Sequence, residues 1–123
     1  MKRLLISFAF FLLWAGVAHA SDESFTKLDY VLAAAAFATT VGDWGQTRYI
    51  AKNPDRYYEK NPILGRHPSV RKVDAYFATM IVGGAVLAYN LPAEYRTIFL
   101  GGVLLVETTM LIRNKKIGIK FSF

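Results

Sequence analysis

The way its apolar residues are gathered constrains this chain more than anything else. Hydrophobic residues make up 54% of the 123 positions and charged residues 20%, both near the globular norm. The apolar ones, however, are clustered into long runs, and two of those runs hold a carboxylate, Asp43 and Glu107. A charge at membrane depth costs about 2.5–3.5 kcal/mol on insertion scales, so such residues are rare and are usually paired, buried or functional. The length allows one domain at most.

The first twenty residues read as a cleavable signal. Lys2 and Arg3 form a basic start, Leu4 to Val17 an apolar stretch, and Ala18-His19-Ala20 a small-residue cleavage site before polar Ser21-Asp22-Glu23-Ser24. The apolar stretch is short for a spanning helix, which needs about 20 residues. An uncleaved anchor would add a fourth helix. Cleavage would remove Lys2 and Arg3 and take the net charge from +6 to +4. The chain has no cysteine, which rules out disulfides, thiolate catalysis and Cys-ligated metals.

The expected architecture is all-α: after the signal at 1–20, one membrane domain over 21–123 with three transmembrane helices, at about 28–48, 72–90 and 95–112. The first becomes a span only if its apolar core, Tyr30 to Val41, continues through Gly42-Asp43-Trp44-Gly45-Gln46-Thr47. Leu91-Pro92-Ala93-Glu94 is so short a link that helices two and three must form an antiparallel hairpin, with Pro92 in the turn or the first helical turn. Ser69 is placed to cap helix two. Glycines 42, 45, 83, 84, 101 and 102 are small enough for close helix approach.

Basic residues set the orientation. The loop at 52–71 and the start of the next span carry Lys52, Arg56, Lys60, Arg66, Arg71 and Lys72 against Asp55 and Glu59. The tail at 113–123 carries Arg113, Lys115, Lys116 and Lys120 with no acid, while the 91–94 turn region offers only Glu94 and Arg96. The loop and C-terminus are therefore expected in the cytoplasm and the mature N-terminus in the periplasm of a bacterial inner membrane. Tyr30, Tyr89 and Tyr95 then fall at one interface and Tyr49, Tyr57 and Tyr58 near the other, as an aromatic belt. The alternating end, Ile117 to Phe123, resembles an outer-membrane barrel strand. Continuous apolar runs are incompatible with a barrel, so a short cytoplasmic strand or an interfacial tail is expected.

The candidate polar site is Asp43, Gln46, Thr47, Glu59, Asn61, Asp74 and Glu107. Asp43 sits about 6 Å and Glu107 about 8 Å inside the cytoplasmic boundary at 1.5 Å per residue. Asp74 opens helix two at that face, so three carboxylates can converge under one loop. Thr39, Asp43, Gln46, Thr47 and Ile50 share a helical face. Glu59 and Asn61 lie in a turn-rich loop with three prolines and can fold under the bundle or simply anchor the loop. The bland reading neutralises Asp43 with Arg48, Arg71 or Lys72 and protonates Glu107. The functional readings are a divalent cation on hard oxygens, a proton relay or a small polar cavity. His67 reads as a solvated loop residue.

Asp43-Trp44-Gly45-Gln46-Thr47-Arg48 followed by Glu59-Lys60-Asn61-Pro62-Ile63-Leu64-Gly65-Arg66-His67-Pro68-Ser69 resembles a pattern in uncharacterised small bacterial and phage-borne membrane proteins. The resemblance covers roughly residues 40–76. It implies a three-helix membrane fold with a focal region there, and no mechanism.

Three functions follow as expectations. The first is an accessory membrane protein that lives in the lipid bilayer and associates with itself or with another membrane protein. The second is an oligomeric ion-permeation or holin-like protein. The third is a metal-dependent membrane enzyme using Asp43, Glu59, Asp74 and Glu107. Nucleophile–base catalysis has no motif here: there is no G-x-S-x-G, H-E-x-x-H or phosphate loop. The positive charge is accounted for by topology, so no nucleic-acid partner is expected. Cofactor and metal stay open.

Overall fold

The structure, a computed structural model, describes residues 24–123; the signal assigned to 1–20 lies outside them. The described residues form three helices: α1 (Lys27–Lys52), α2 (Val70–Asn90) and α3 (Ala93–Lys116). Each overruns its expected span. α1 continues through Gly42 and Gly45 without a break, and α3 continues past Ile112 through its basic last turn of Arg113, Lys115 and Lys116, where cations suit the negative helix end.

The boundaries have local causes. Thr26 and Asp29 build a reciprocal capping box: the Asp29 amide donates to Thr26 Oγ1 (3.1 Å) and the Thr26 amide to Asp29 Oδ2 (2.9 Å). Ser69 caps α2 by accepting from the Lys72 amide at 3.2 Å, as its sequence position suggests. Pro92 sits at the N-cap of α3. α3 ends in a Schellman turn: the Gly118 amide donates to Lys115 O and the Ile119 amide to Asn114 O. Gly118 has φ +85°, a left-handed conformation that costs a Cβ-bearing residue about 1–2 kcal/mol.

α1 is the central element. It packs chiefly on α3 and less on α2, while α2 and α3 barely touch along their lengths. Asp29 of α1 meets Thr97 of α3, and Gln46 of α1 meets Leu111 of α3, so α1 and α3 run parallel. α2 returns antiparallel to both, the hairpin sense expected. One end of the molecule is thus the α2–α3 turn and the other is the 53–69 loop.

Near the loop end, Leu64, Val73 and Phe77 are buried together, with Trp44, Ala51 and Tyr76 packed against them. Trp44 stacks on Phe77 at 6.1 Å between ring centres. The buried stripe of α1 runs Asp29, Ala36, Thr40, Thr47, Ile50, at helical spacing. Thr40, placed on the flank of the expected polar face, is buried while Thr39 is half-buried, and both spend their hydroxyls on backbone carbonyls one turn back.

α2 and α3 are each long and apolar enough to cross a membrane, yet only 17% and 11% of their apolar windows are buried inside the molecule. Met80, Val82, Val86, Ile98, Leu105, Val106 and Ile112 all face outward. The core helix of a water-soluble protein would be covered.

Candidate functional site

Polar side chains collect at three places. At the turn end, Arg96 is fully buried (0% exposed) beside Asp29 (1%). Arg96 Nε donates to Ala88 O (2.9 Å) and Nη2 to Leu91 O (3.0 Å), carbonyls at the C-terminal end of α2 that lack helical partners. Its Nη1 reaches Asp29 Oδ2 and Ser24 O, both at 3.4 Å, and its guanidinium lies 4.2 Å from the centre of the Phe25 ring. Thr97 donates to Asp29 Oδ1 at 3.1 Å. One arginine thereby ties the start of α1, the end of α2 and the start of α3. Read from sequence alone, Arg96 is an interfacial turn charge; the structure corrects this. The one signal available was Thr26-x-x-Asp29, which marks a helix start and a fixed carboxylate.

Midway to the loop end lies the acid pair. The carboxyl groups of Asp43 on α1 and Glu107 on α3 meet within hydrogen-bonding reach, at the common level their spacing suggests. Asn114 Nδ2 donates to Asp43 Oδ1 at 3.4 Å. Gln46, 1% exposed, donates through Nε2 to Leu111 O at 3.3 Å, one turn beyond Glu107. Two buried acceptors in this seam have no donor, Gln46 Oε1 and Glu107 Oε2. Thr47 is buried on the same helix, 3% exposed. The Tyr76 hydroxyl lies within electrostatic reach of Asp43, Glu107 and Glu59.

Glu59 and Asn61 organise the loop rather than enter the pair. Glu59 Oε1 accepts from the amides of Lys60 (2.8 Å) and Asn61 (2.7 Å), and Asn61 Oδ1 accepts from the Ile63 amide (2.9 Å). The Asn61 carbonyl accepts from Gly65, which has φ +79°, and the Asn61 side chain lies near the Tyr76 hydroxyl. Glu59 still acts electrostatically on Asp43. The Glu-x-Asn-Pro segment is therefore a self-bonded turn seated over the acid pair.

Asp74 does not join the other carboxylates. Arg48 Nη1 binds both its oxygens, and Trp44 Nε1 donates to Oδ1 at 2.8 Å. Trp44 and Arg48, four residues apart, share a face of α1 adjacent to that of Asp43 and Thr47. None of the three expected cations pairs with Asp43: Arg48 is held by Asp74, Lys72 Nζ donates to Leu64 O at 2.8 Å, and Arg71 is in neither ion pair of the described residues. The pair instead leans on Asn114, a residue that polarity alone did not single out.

The third place is the tail. Residues 117–123 contain no strand; after Gly118 they turn back onto α1. The Ser122 amide donates to Gly45 O at 3.0 Å, Arg48 Nε to Ser122 O at 3.1 Å, and Lys52 Nζ to Ser122 Oγ at 2.7 Å. A methyl on Gly45 would lie 2.7 Å from the Phe123 ring, and one on Gly42 would lie 3.0 Å from Leu111 and 3.6 Å from Phe121. These two glycines serve close approach. Gly83, Gly101 and Gly102 do not, since nothing in the molecule stands within 4 Å of a Cβ there. A shallow groove lined by Thr109, Ile112, Arg113, Lys116 and Ile117 involves none of the acid-pair residues.

No protein-family model matches the chain, and neither a curated protein nor a solved structure matches it.

Proposed function

We propose that this chain is a small inner-membrane protein of accessory type, with three spanning helices, the loop end in the cytoplasm and the turn end in the periplasm. Its role is association with further copies of itself or with another membrane protein. The observation that carries the reading is the uncovered outer surface of α2 and α3, where large apolar side chains have no partner within the molecule. Exposed apolar surface on this scale marks a lipid or protein interface. Gly83, Gly101 and Gly102 interrupt that surface with open positions, and small residues of this kind let a second helix approach closely in lipid. Inside, the ion pairs and the self-bonded loop hold the helices in register and leave the outer faces free to dock.

The test is alkaline extraction of membranes expressing the full chain, followed by cross-linking in the membrane and mass measurement in mild detergent. The protein should stay in the carbonate-resistant pellet and should cross-link to itself or to one partner, and Gly83→Leu with Gly102→Leu should weaken that product. Release by carbonate, or a strictly monomeric protein with no cross-linked product, would sink the reading.

A further inference from the structure

We propose that Asp43, Glu107 and Gln46 form a binding site for a hard divalent cation in the seam between α1 and α3. Two carboxyl groups in contact must be neutralised by something between them, since two bare like charges at membrane depth repel and are poorly solvated. A shared proton would satisfy the two oxygens that face each other. A single proton held there would leave Gln46 Oε1 and Glu107 Oε2 buried without a donor, and unsatisfied buried acceptors are rare because they cost the full desolvation of the group. A divalent cation answers both problems at once. It balances two carboxylates to zero net charge, and hard oxygens of carboxylates and amides are its preferred ligands.

The seam is built for oxygen ligation. Gln46 is almost wholly buried, and its amide is anchored through Nε2 to Leu111 O, one turn along α3 from Glu107. Among the described residues no group of three or more His, Cys, Asp and Glu is placed to hold a metal. In the proposed site the protein supplies two carboxylates and an amide, and water completes the shell, the arrangement that Mg²⁺ and Mn²⁺ accept more readily than a full protein cage. Glu59 contributes negative field to Asp43, and its Oε1 is spent on the Lys60 and Asn61 amides. The inference goes beyond the association reading: a cation-binding protein without a partner would fail that reading and not this one.

The experiment uses the full chain in nanodiscs of zwitterionic lipid, with Mn²⁺ alone as the probe and its electron paramagnetic resonance signal as the readout. A single saturable Mn²⁺ should bind and be displaced by Mg²⁺. Asp43→Asn and Glu107→Gln should each weaken it by about tenfold or more, because affinity follows ligand charge. Gln46→Met, which keeps both carboxylates and much of the volume, should weaken it severalfold with helicity unchanged by circular dichroism, and Asp55→Asn should leave it unaltered. No saturable Mn²⁺ on the folded wild type would overturn the proposal and leave the pair holding a proton or a water. Binding that survives both Glu107→Gln and Gln46→Met would overturn it as well.

Discussion

Arg96 carries a full charge with no solvent contact, and it is the end carbonyls of α2 that make this tolerable. A guanidinium has five donors in a rigid fork, and here they reach two of the carbonyls a helix end cannot satisfy by itself. Hydrogen bonds to charged groups contribute about 1.5–3 kcal/mol each. Arg96→Leu is expected to lower the unfolding midpoint in denaturant by more than the loss of both bonds, because it also takes the guanidinium from buried Asp29, with Arg96→Lys recovering only part of it. A variant as stable as wild type would show the clamp to be ornamental. Gly118 is the second residue where geometry leaves no latitude. Gly118→Val should cost about 1–2 kcal/mol through its positive φ and free the tail from Gly45, seen as faster carboxypeptidase trimming of Phe123. The two carboxylates of the seam were legible as candidates because a charge in an apolar run is costly and rare, whether it is neutralised within the bundle or serves a function. Arg96 was not, because an arginine at the end of such a run looks like any interfacial anchor, and only the fold brings α2's carbonyls to it.

At the scale of elements, the sequence marks helices better than their partners. Ser69 and the short 91–92 link set two boundaries by local chemistry, and Ser69→Ala should cost about 1 kcal/mol by unfolding, the usual worth of such a cap. The helices α1 and α3 were underestimated at both ends and α2 only at its start, because hydropathy stops where charge begins, whereas a helix continues as long as its hydrogen bonds do. The choice between Thr39 and Thr40 on α1 was beyond periodicity, since the two differ by one position on a helix whose moderately polar residues surround it. The outer face of α3 gives the sharper test. Leu105 lies mid-helix and is 69% exposed. In lipid, Leu105→Arg should add about 2.5–3.5 kcal/mol to insertion and strip the protein from the membrane fraction. In water it would cost no more than about 0.5 kcal/mol, as surface substitutions do, so membrane recovery of this variant relative to wild type decides which solvent α3 meets.

Across the whole molecule, the arrangement is a central α1 flanked by two outward-facing apolar helices, with one polar clamp near each end. The parallel pairing of α1 with α3 is what brings Asp43 and Glu107 to one level, and it follows from two reversals of the chain, one through the 53–69 loop and one through the 91–92 link. That Asp74 would instead close onto Arg48 and Trp44 could not be read from depth, because depth is one coordinate and the rotation of each helix about its axis is another. Orientation rests on charge. The loop end carries the excess of Lys and Arg, and the positive-inside tendency is what assigns it to the cytoplasm in the proposed topology. Because the chain has no cysteine, a single introduced one reports its own side unambiguously. Asp55→Cys sits in the exposed loop and Glu94→Cys at the exposed start of α3, and neither side chain is engaged in an ion pair between helices. A membrane-impermeant thiol reagent applied to spheroplasts should label Glu94→Cys at once and Asp55→Cys only after lysis. The reverse pattern would invert the topology and place the acid pair near the outer face. Labelling of both before lysis would mean that α2, which separates the two positions, does not cross the membrane.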